Sequence, residues 1–260
     1  MVLTSQRAII VIFFKIKIPI PSLEKQQTIV AYLDFIYEKA NKTSFTKIEE
    51  LKQLNEFCLN NQKLFGEYVV KELGEVFKYK MGRFNSNDMD NNGIIPFYSC
   101  KSNNPVGFHS TYSFDHPEYL LLVCAGGSQN NIIGDDIGLG KCYYVTGKTA
   151  CRANVCSLVS KTGELNIKYI HYYLNINRID TNKKAHFTTN LGTISLDEIK
   201  SIKIPIPSLE KQQTIVAYCD ANNNLIKQLE NEIEHNKNLA QQFIKGIVKN
   251  VGVEVEEEEE

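Results

Sequence analysis

Apolar and polar residues alternate at the start of one seventeen-residue stretch that the chain contains twice. Residues 16–32 read IKIPIPSLEKQQTIVAY, and residues 202–218 repeat the same letters. The Ile-Lys-Ile run is typical of a strand, and the two prolines that follow cannot donate to a β-ladder. We therefore expect each strand to lie at a sheet edge or to end at this proline corner. An identical internal repeat indicates duplicated structure.

Each proline corner leads into a predicted helix. Ser208 is suited to cap the helix N-terminus, and Glu210 favours the positive end of the helix dipole. Spacings of three and four then place one stripe of mostly apolar positions on the helix, which are Leu209, Gln212, Ile215, Val216 and Cys219. The first copy repeats this arrangement with Ser22, Leu23, Ile29, Val30 and Leu33. A duplicated packing unit without a further role is the alternative interpretation.

A longer helix with a narrow seam is predicted after each copy. The second seam alternates steps of three and four, as in a coiled coil, through Ile226, Leu229, Ile233, Asn236, Ala240, Phe243 and Ile247. Asn236 is a polar seam position of the kind that fixes register. The first seam is less regular and runs through Ile48, Leu51, Asn55, Cys58, Gln62 and Phe65. We expect the two helices to pack together as an antiparallel coiled coil.

The stretch between the helices has a β-like texture. Short apolar runs are separated by Gly- and Asn-rich turn signals, which include Gly126-Gly127 and Gly147. The predicted strands are Glu75–Lys80, Ile94–Tyr98, Tyr119–Ala125, Gly140–Val145 and Val155–Val159, and Ile167–Leu174 predicts a short helix. The predicted fold class is therefore α+β, with one globular β-rich domain and two long helices packed as an antiparallel coiled coil.

These patterns divide the chain into six segments. We expect a strand remnant with the first proline corner at 1–34, a first long helix at 35–65, a globular domain at 66–200, the second corner at 201–220, a second long helix at 221–250 and a disordered acidic tail at 251–260. The segment Ala8–Phe14 contains seven consecutive apolar residues, which are too few to span a bilayer. We interpret it as a buried strand that leads into the first proline corner.

Composition changes this picture in two respects. The net charge of −1 includes six glutamates at the C-terminus, and subtracting them leaves +5, so an anionic partner is compatible with the rest of the chain. Seven cysteines without a CxxC pair suit a reducing cytoplasm and small core positions better than a disulfide scaffold. The sequence therefore predicts a cytoplasmic protein.

No motif predicts a catalytic or metal site. The segment Gly138-Leu139-Gly140-Lys141 fails as a phosphate-binding loop, because Asp135 replaces the first glycine and Cys142 replaces the hydroxyl residue that would hold magnesium.

Thiol and metal chemistry are weaker alternatives. Cys156 with His171, or Cys151 with His186, would make a thiol nucleophile and its base, but no residue orients the imidazole. Adjacent acids at Asp135-Asp136 are more typical of a solvated turn than of a metal site.

Several polar and basic segments suit contact with nucleic acid. Lys and Arg neutralise phosphates, and Asn, Gln and Arg pair with base edges at about 1–3 kcal/mol of discrimination per good pair. The candidate DNA-binding residues are Lys78, Lys80, Arg83, Asn85, Lys101, Asn103, Gln129, Asn130, Lys141, Arg152, Lys183, Lys184 and Thr189. We expect them to form a reading surface of loops on a rigid β scaffold.

The pattern resembles the DNA-specificity subunits of type I restriction–modification systems. The resemblance is carried by the corner IPIPSLEKQQTIVAYCD ahead of a long helix, and by the segments Leu73-Gly74-Glu75-Val76, Ile95-Pro96-Phe97-Tyr98 and Asn190-Leu191-Gly192. It implies a non-catalytic subunit whose target-recognition domain reads one half of a split DNA sequence. It also implies that the long helices act as spacers and dock methyltransferase subunits. Those partners would bind S-adenosylmethionine, and a restriction subunit would use ATP, so no cofactor is expected in this chain.

This chain departs from the family pattern in one respect. Members of that family usually carry two recognition domains and two spacer helices, whereas two spacers and one recognition domain are predicted here, with the sequence beginning near the end of a first domain. The resemblance therefore implies a half-length form that forms a homodimer or pairs with another half-subunit. A structural coiled-coil adaptor and a stand-alone cysteine hydrolase or nuclease remain the alternatives.

Overall fold

The computed structural model describes residues 22–36, 41–85, 87–90, 92–101, 104–127, 137–187 and 191–257. These residues form two compact units, one from the described parts of 1–51 and 223–260 and the other from 52–222. The predicted strand at 8–14, the first proline corner before Ser22 and the Asp135-Asp136 pair lie outside the described residues.

The described elements follow in a fixed order. They are α1 (Leu23–Asp34), α2 (Asn41–Asn60), a 3-10 turn (Gln62–Phe65), β1 (Tyr68–Glu72), α3 (Leu73–Val76), β2 (Phe77–Met81), β3 (Ile95–Tyr98), β4 (Gly107–His109), β5 (Phe114–Val123), β6 (Ala125–Gly126), β7 (Cys142–Cys151), β8 (Val155–Ser160), α4 (Ile167–Ile176), α5 (Arg178–Asn182), β9 (His186–Phe187), β10 (Gly192–Thr193), α6 (Leu196–Lys200), β11 (Lys203–Pro207) and α7 (Leu209–Glu257).

The smaller unit consists of helices only, among the residues described. Ser22 caps α1, as predicted, by accepting a hydrogen bond from the Lys25 amide. Tyr32 on α1 packs on Phe243 of α7, with ring centroids 4.3 Å apart. Five of the predicted seam residues form one cluster, which contains Ile48, Leu51, Ile226 and Ile233 with Leu229 against it. The first predicted helix is shorter than expected, because α2 ends at Asn60 and Gln62 and Phe65 lie in the 3-10 turn.

A six-stranded sheet with the order β2-β8-β5-β7-β3-β4 forms the scaffold of the larger unit. Its described pairs are antiparallel except for β3 with β7. Alternate residues of β5 enter different core clusters: Leu120 and Leu122 pack on one face, and Leu121 and Val123 on the other. Because β5 is covered on both faces, it reads as a continuous apolar run rather than an alternating one.

The second proline corner behaves as its sequence predicts. Strand β11 pairs with β1 in a separate two-stranded sheet and ends at Pro207, so Pro205 and Pro207 lie on a strand that has a free edge. The Tyr169 hydroxyl donates to the Pro205 carbonyl at 2.9 Å. The buried stripe of Ile215, Val216 and Cys219 then joins the main core of the unit.

The corner helix and the second long helix form one helix. Instead of a break near residue 221, α7 begins at Leu209 and continues to Glu257. It therefore extends beyond residue 250, where the sequence predicts a disordered tail, and residues 258–260 lie outside the described range.

Two predicted boundaries in the β domain are wrong for local reasons. Glu75 belongs to the helical turn α3, because Glu72 and Glu75 form a reciprocal capping box, and strand β2 starts only at Phe77. Gly147 lies inside β7 rather than in a turn. With a φ of 68° it sits next to a register shift between His116 and Tyr119 on the neighbouring strand, where a bulge lets the ladder continue.

Most of the cysteines are small core residues, as predicted, although Cys100 is only half-buried. All seven are free thiols, and Cys124, Cys142, Cys151, Cys156 and Cys219 are buried. Burial raises the pKa of Cys142, and it raises the pKa of Cys151 to about 12. Within the described ranges, no helix combines the length and the apolar character needed to span a bilayer.

Candidate nucleic-acid interface

The ends of three predicted loops meet at one cavity. This cavity, the Arg152 cavity, has a volume of about 370 Å³, and its lining includes Ser99, Lys101, Gly127, Gly138, Arg152 and Leu191. Of these, Lys101, Gly127 and Leu191 directly flank the segments 102–103, 128–136 and 188–190, which lie outside the described residues. The fold therefore brings together loops that are far apart in the sequence.

Backbone pairing fixes these loop ends to one another. Lys101 and Ile137 form an antiparallel bridge, which ties the first loop to the end of the second. In the three-stranded sheet β6-β10-β9, Gly192 pairs with both Gly126 and Phe187. Gly138 lies so close to Cys100 that an added Cβ would be 2.0 Å from the Cys100 carbonyl oxygen. The loops thus start from a rigid base.

The Arg83–Asn85 segment joins the same base from another direction. Phe84 forms a parallel bridge with Arg152, and the Ala153 amide donates to the Phe84 carbonyl at 3.0 Å. The Asn85 amide donates to the Asp88 carboxylate at 2.7 Å, which folds the start of this loop into a turn.

Arg83 is tied to the scaffold through two aromatic residues. Its Nη2 donates to the Tyr112 carbonyl at 2.7 Å, and its guanidinium carbon lies 5.1 Å from the centroid of the Phe84 ring. Lys148 approaches the same Tyr112, with its Nζ 5.1 Å from the ring centroid. Because a guanidinium has five donors, one bond to the backbone still leaves others for a phosphate.

Arg152 is the cation at the centre of this arrangement. It is half-buried, and its backbone amide donates to the Tyr98 carbonyl at 2.9 Å. Its positive charge also acts on the neighbouring Cys100: burial raises the pKa of that thiol, and Arg152 opposes the increase. A half-buried guanidinium among loop ends is suited to both phosphate and guanine contacts.

Lys141 lies beside an aromatic pair on the sheet. Its Nζ is 6.0 Å from the ring centroid of Tyr143, and Tyr143 packs edge-on against Tyr98 at 5.7 Å. Burial is the main cause that raises the pKa of both tyrosines, so they remain protonated donors near neutral pH.

The remaining candidate residues fall into separate groups. Lys78 and Lys80 are exposed on β2, which is an edge strand of the six-stranded sheet. Strands β3 and β4 lie at the other side of that sheet. Lys183 pairs with Asp180 at 2.7 Å, and the Lys184 ammonium donates to the Ser201 hydroxyl at 3.3 Å. Asn103, Gln129, Asn130 and Thr189 lie outside the described residues.

One structural residue was missed by the sequence analysis. The Arg178 guanidinium donates from Nε to the Leu139 carbonyl at 2.8 Å and from Nη2 to the Ile137 carbonyl. Asn182 also donates to the Leu139 carbonyl, at 2.9 Å. These bonds hold the C-terminal end of the 128–136 loop, and burial lowers the pKa of Arg178.

The Cys156 thiol and the His171 imidazole form hydrogen bonds to groups other than each other. The Cys156 thiol donates to the Ser157 carbonyl at 3.5 Å, and His171 contacts the Asn175 side chain at 3.2 Å. Burial lowers the pKa of His171 to about 4, with a further contribution from Lys168. Among the described residues, no group of three or more His, Cys, Asp or Glu side chains could hold a metal ion.

A larger cavity has a lining that contains no residue of the predicted loops. It has a volume of about 910 Å³ and lies beside β1 and β11, where its walls include Val69, Ile206 and Leu209. The convergence of loop ends and cations therefore identifies the smaller Arg152 cavity as the candidate interface.

Comparisons with known proteins identify the family and the fold of this chain. Residues 66–235 match the family described as "Type I restriction modification DNA specificity domain". Among curated proteins, none matches the sequence of this chain.

Solved structures share the fold at low sequence identity. The S subunit of a type I restriction–modification system from M. genitalium has a TM-score of 0.58 and 16% identity, over 88% of this chain and 61% of that one. The HsdS subunit from Thermoanaerobacter tengcongensis has a TM-score of 0.53 and 19% identity, over 88% and 59% of the two chains. A chain from a study of complex assembly in a type I R-M system has a TM-score of 0.55 and 19% identity, over 89% and 60%. The chain thus spans about 60% of the length of these structures.

Proposed function

The chain belongs to the family of type I restriction modification DNA specificity domains, and from this premise we propose that it is a DNA-recognition subunit of a type I methyltransferase complex. In this role the domain at 66–200 reads one half of a bipartite target, and the chain itself is non-catalytic. Modification subunits bring S-adenosylmethionine and methylate adenine, and a restriction subunit, where one joins, brings ATP.

The convergence of loops at the Arg152 cavity carries this proposal. Lys101 and Arg152 supply positive charge in the lining of this cavity, and Arg83 precedes Phe84, which forms a backbone bridge with Arg152. The amide-rich segments containing Asn103, Gln129 and Asn130 start from the same base. Cations position a protein on phosphates and amide side chains read base edges, so this one face combines both requirements.

We also propose that the long helices form an antiparallel coiled coil that sets the spacing of the target and docks the modification subunits. The buried cluster of Ile48, Leu51, Ile226 and Ile233 supports this packing. The Asn236 side chain donates to Asn41 at 3.1 Å, which supports the predicted role of Asn236 in fixing register.

A bipartite target requires a second recognition domain. The described residues contain one such β-rich domain, and we propose that a homodimer or pairing with another half-subunit brings a second one. The free thiols are consistent with assembly in the reducing cytoplasm.

Mapping of methylated adenines tests this function. The chain is combined with its modification subunits, S-adenosylmethionine and genomic DNA, and the modified positions are sequenced. We expect methylation at one interrupted motif, and we expect Arg152→Ala to abolish or relax it, while the matched surface variant Lys203→Ala leaves it unchanged. Methylation at the same positions without the chain would refute the proposal.

A further inference from the structure

Side chains of α4 and α5 bind the backbone beside the Arg152 cavity. Asn175, Arg178 and Asn182 follow one another at steps of three and four, which is the spacing of residues that share one side of a helix. Each of these side chains donates hydrogen bonds to backbone carbonyls of the segment 137–142. We call the three side chains the backbone clamp.

The contacts of Asn175 hold the start of β7. Its side-chain amide donates to the Cys142 carbonyl at 2.8 Å and accepts from the Cys142 backbone amide at 3.0 Å. A side-chain amide has both a donor and an acceptor, so it can pair with both backbone groups of one residue. Cys142 is buried and is the first residue of β7. This part of the clamp therefore stabilises the sheet.

Arg178 holds a different part of the segment, which forms a wall of the Arg152 cavity. Its Nε donates to the Leu139 carbonyl at 2.8 Å, and its Nη2 donates to the Ile137 carbonyl. The residue between these two carbonyls, Gly138, lines the cavity. One planar guanidinium thus fixes the backbone on both sides of a lining residue, which a single donor could not do.

This wall also determines the position of Lys101. Ile137 forms an antiparallel bridge with Lys101, and Lys101 and Arg152 both line the cavity. A displaced Ile137 would therefore move Lys101 relative to Arg152. Binding groups must be held within about 0.5 Å of their working positions, whereas electrostatic attraction to phosphates acts over about 10 Å. Such a displacement would therefore weaken sequence readout more than general attraction to DNA.

Arg178 is a cation without an acidic partner among the described residues. It is half-buried, and none of the ion pairs between described residues includes it. A partly buried charge without a counter-ion costs stability, which an apolar side chain of similar length would not. What the guanidinium adds at this position is its set of donors to the cavity wall.

We propose that Arg178 is a positioning residue for sequence readout. It places the cavity wall and Lys101 against Arg152, and it acts through these groups rather than through its own contact with DNA. This inference deepens the proposed function and rests on it, because it names a residue that determines the specificity of the same site.

The variant Arg178→Lys tests this role. It keeps the positive charge but replaces the planar fork, so the two carbonyls are no longer held in the same geometry. The full-length chain is assembled with its modification subunits, and its affinity is measured at one salt concentration for two DNA duplexes. One duplex carries the motif found by mapping of methylated adenines, and the other carries the same bases in scrambled order. We expect the affinity for the motif to fall by about tenfold or more, and the affinity for the scrambled duplex to stay within about twofold.

Asn175→Ala is the matched control. It removes the contacts of the clamp with Cys142 but leaves both bonds of Arg178 to the cavity wall in place. We therefore expect a lower thermal midpoint with an unchanged ratio of the two affinities. A loss of the ratio that is as large as in Arg178→Lys would show that lost stability is the cause.

Amide hydrogen exchange reports the position of the wall without DNA. The Gly140 amide donates to the Val123 carbonyl at 2.8 Å, and the Lys141 amide donates to the Gly138 carbonyl at 2.9 Å. In Arg178→Lys we expect both amides to exchange about tenfold faster, while the amides of β8 keep their exchange rates. If faster exchange in β8 shows that this variant is unfolded, Arg178→Gln, which keeps a donor for one carbonyl, takes its place.

The outcomes separate this inference from the proposed function. If a folded Arg178 variant keeps the ratio of the two affinities, or if Asn175→Ala lowers that ratio equally, the positioning role is overturned. If the unmodified complex methylates no motif, the proposed function fails and the inference fails with it. A motif that is methylated and then lost with Arg178 but not with Asn175 supports both.

Discussion

The side-chain amide of Asn222 on α7 donates a 2.8 Å hydrogen bond to Oδ1 of Asn55 on α2, and both residues are buried. The two positions are 167 residues apart in the sequence. Each asparagine extends the buried seam of its own helix. A buried amide pair of this kind contributes less to stability than to the choice of one register over its alternatives.

Substitution of this pair separates stability from register. Asn222→Ala removes the donor to Asn55, and we expect the free energy of unfolding to fall by about 1–3 kcal/mol in urea denaturation. Asn55→Leu combined with Asn222→Leu should recover or exceed the original stability, because apolar pairs suit a seam. Distances between spin labels on α2 and α7 should then show more than one helix register. A single unchanged register in the double leucine variant would contradict the role assigned to the amides.

Gly138 tests whether the base of the loops must be rigid. An added Cβ would lie 2.0 Å from the Cys100 carbonyl oxygen, so Gly138→Ala must displace one of the two loop ends. We expect Gly138→Ala to lower the thermal midpoint and to weaken DNA binding at least as strongly as it affects folding. Gly163→Ala is the matched control, because no atom lies within 4 Å of its added Cβ. Equal effects of both alanines on DNA binding would argue against a role of the loop base.

Salt dependence distinguishes phosphate contacts from base contacts at the Arg152 cavity. If Lys101 contacts a phosphate, Lys101→Ala should lower the slope of log K against log salt by about one unit and weaken all DNA sequences alike. If Arg152 reads a base, Arg152→Ala should cost about 1–3 kcal/mol on the cognate half-site and relax specificity there. Fluorescence anisotropy over a range of salt concentrations measures both effects, with Lys203→Ala as the control. A slope that is the same in all three variants would exclude the assigned phosphate contact.

Because burial lowers the pKa of His171, we expect the folded protein to lose stability in acid. This pKa is about 4 in the folded state, well below the ordinary 6.5, because burial and Lys168 disfavour the charged imidazole. The unfolded chain therefore binds a proton below pH 6.5 that the folded chain excludes. This contribution to stability is complete above pH 6.5, is lost progressively between pH 6.5 and 4, and amounts to about 3 kcal/mol.

The variant His171→Gln isolates this effect. Its free energy of unfolding, measured by urea denaturation from pH 4 to 8, should depend less steeply on pH than that of the unmodified chain. The carboxylates contribute to both profiles alike, so the difference between the profiles reports His171 alone. Parallel profiles would show that the imidazole of His171 has the ordinary pKa of histidine in the folded protein.

Local periodicity predicted the buried faces of the long helices and the second proline corner, but not the short helices α3, α5 and α6. The stripe at Ile215, Val216 and Cys219 is buried, and so are Ile48, Leu51, Ile226 and Ile233 of the two seams. Such patterns are informative because burial of a helix face depends on residues three and four apart in the same segment. Strand ends were less predictable, since the bulge beside Gly147 is decided by the neighbouring strand.

The convergence of the loops could not be predicted in the same way. It depends on long-range backbone pairs, such as Lys101 with Ile137 and Gly192 with Gly126, that leave no periodic pattern in the sequence. For the same reason, residue type alone did not separate Arg152, at the loop base, from Lys183 and Lys184 on another part of the domain. Arg178 was missed because its partners are carbonyl groups, which every residue has.

The continuity of α7 limits how the chain can vary in length. One uninterrupted helix supplies both Cys219, which packs in the core of the recognition domain, and Ile226, which packs in the seam. One residue inserted between them would rotate all later side chains by about 100° about the helix axis and turn the seam away from its partner. Seven inserted residues make close to two complete turns and keep the faces aligned, at an added length of about 10 Å. Variants of this helix that still assemble should therefore differ in length by nearly whole numbers of turns, such as about seven or about eleven residues.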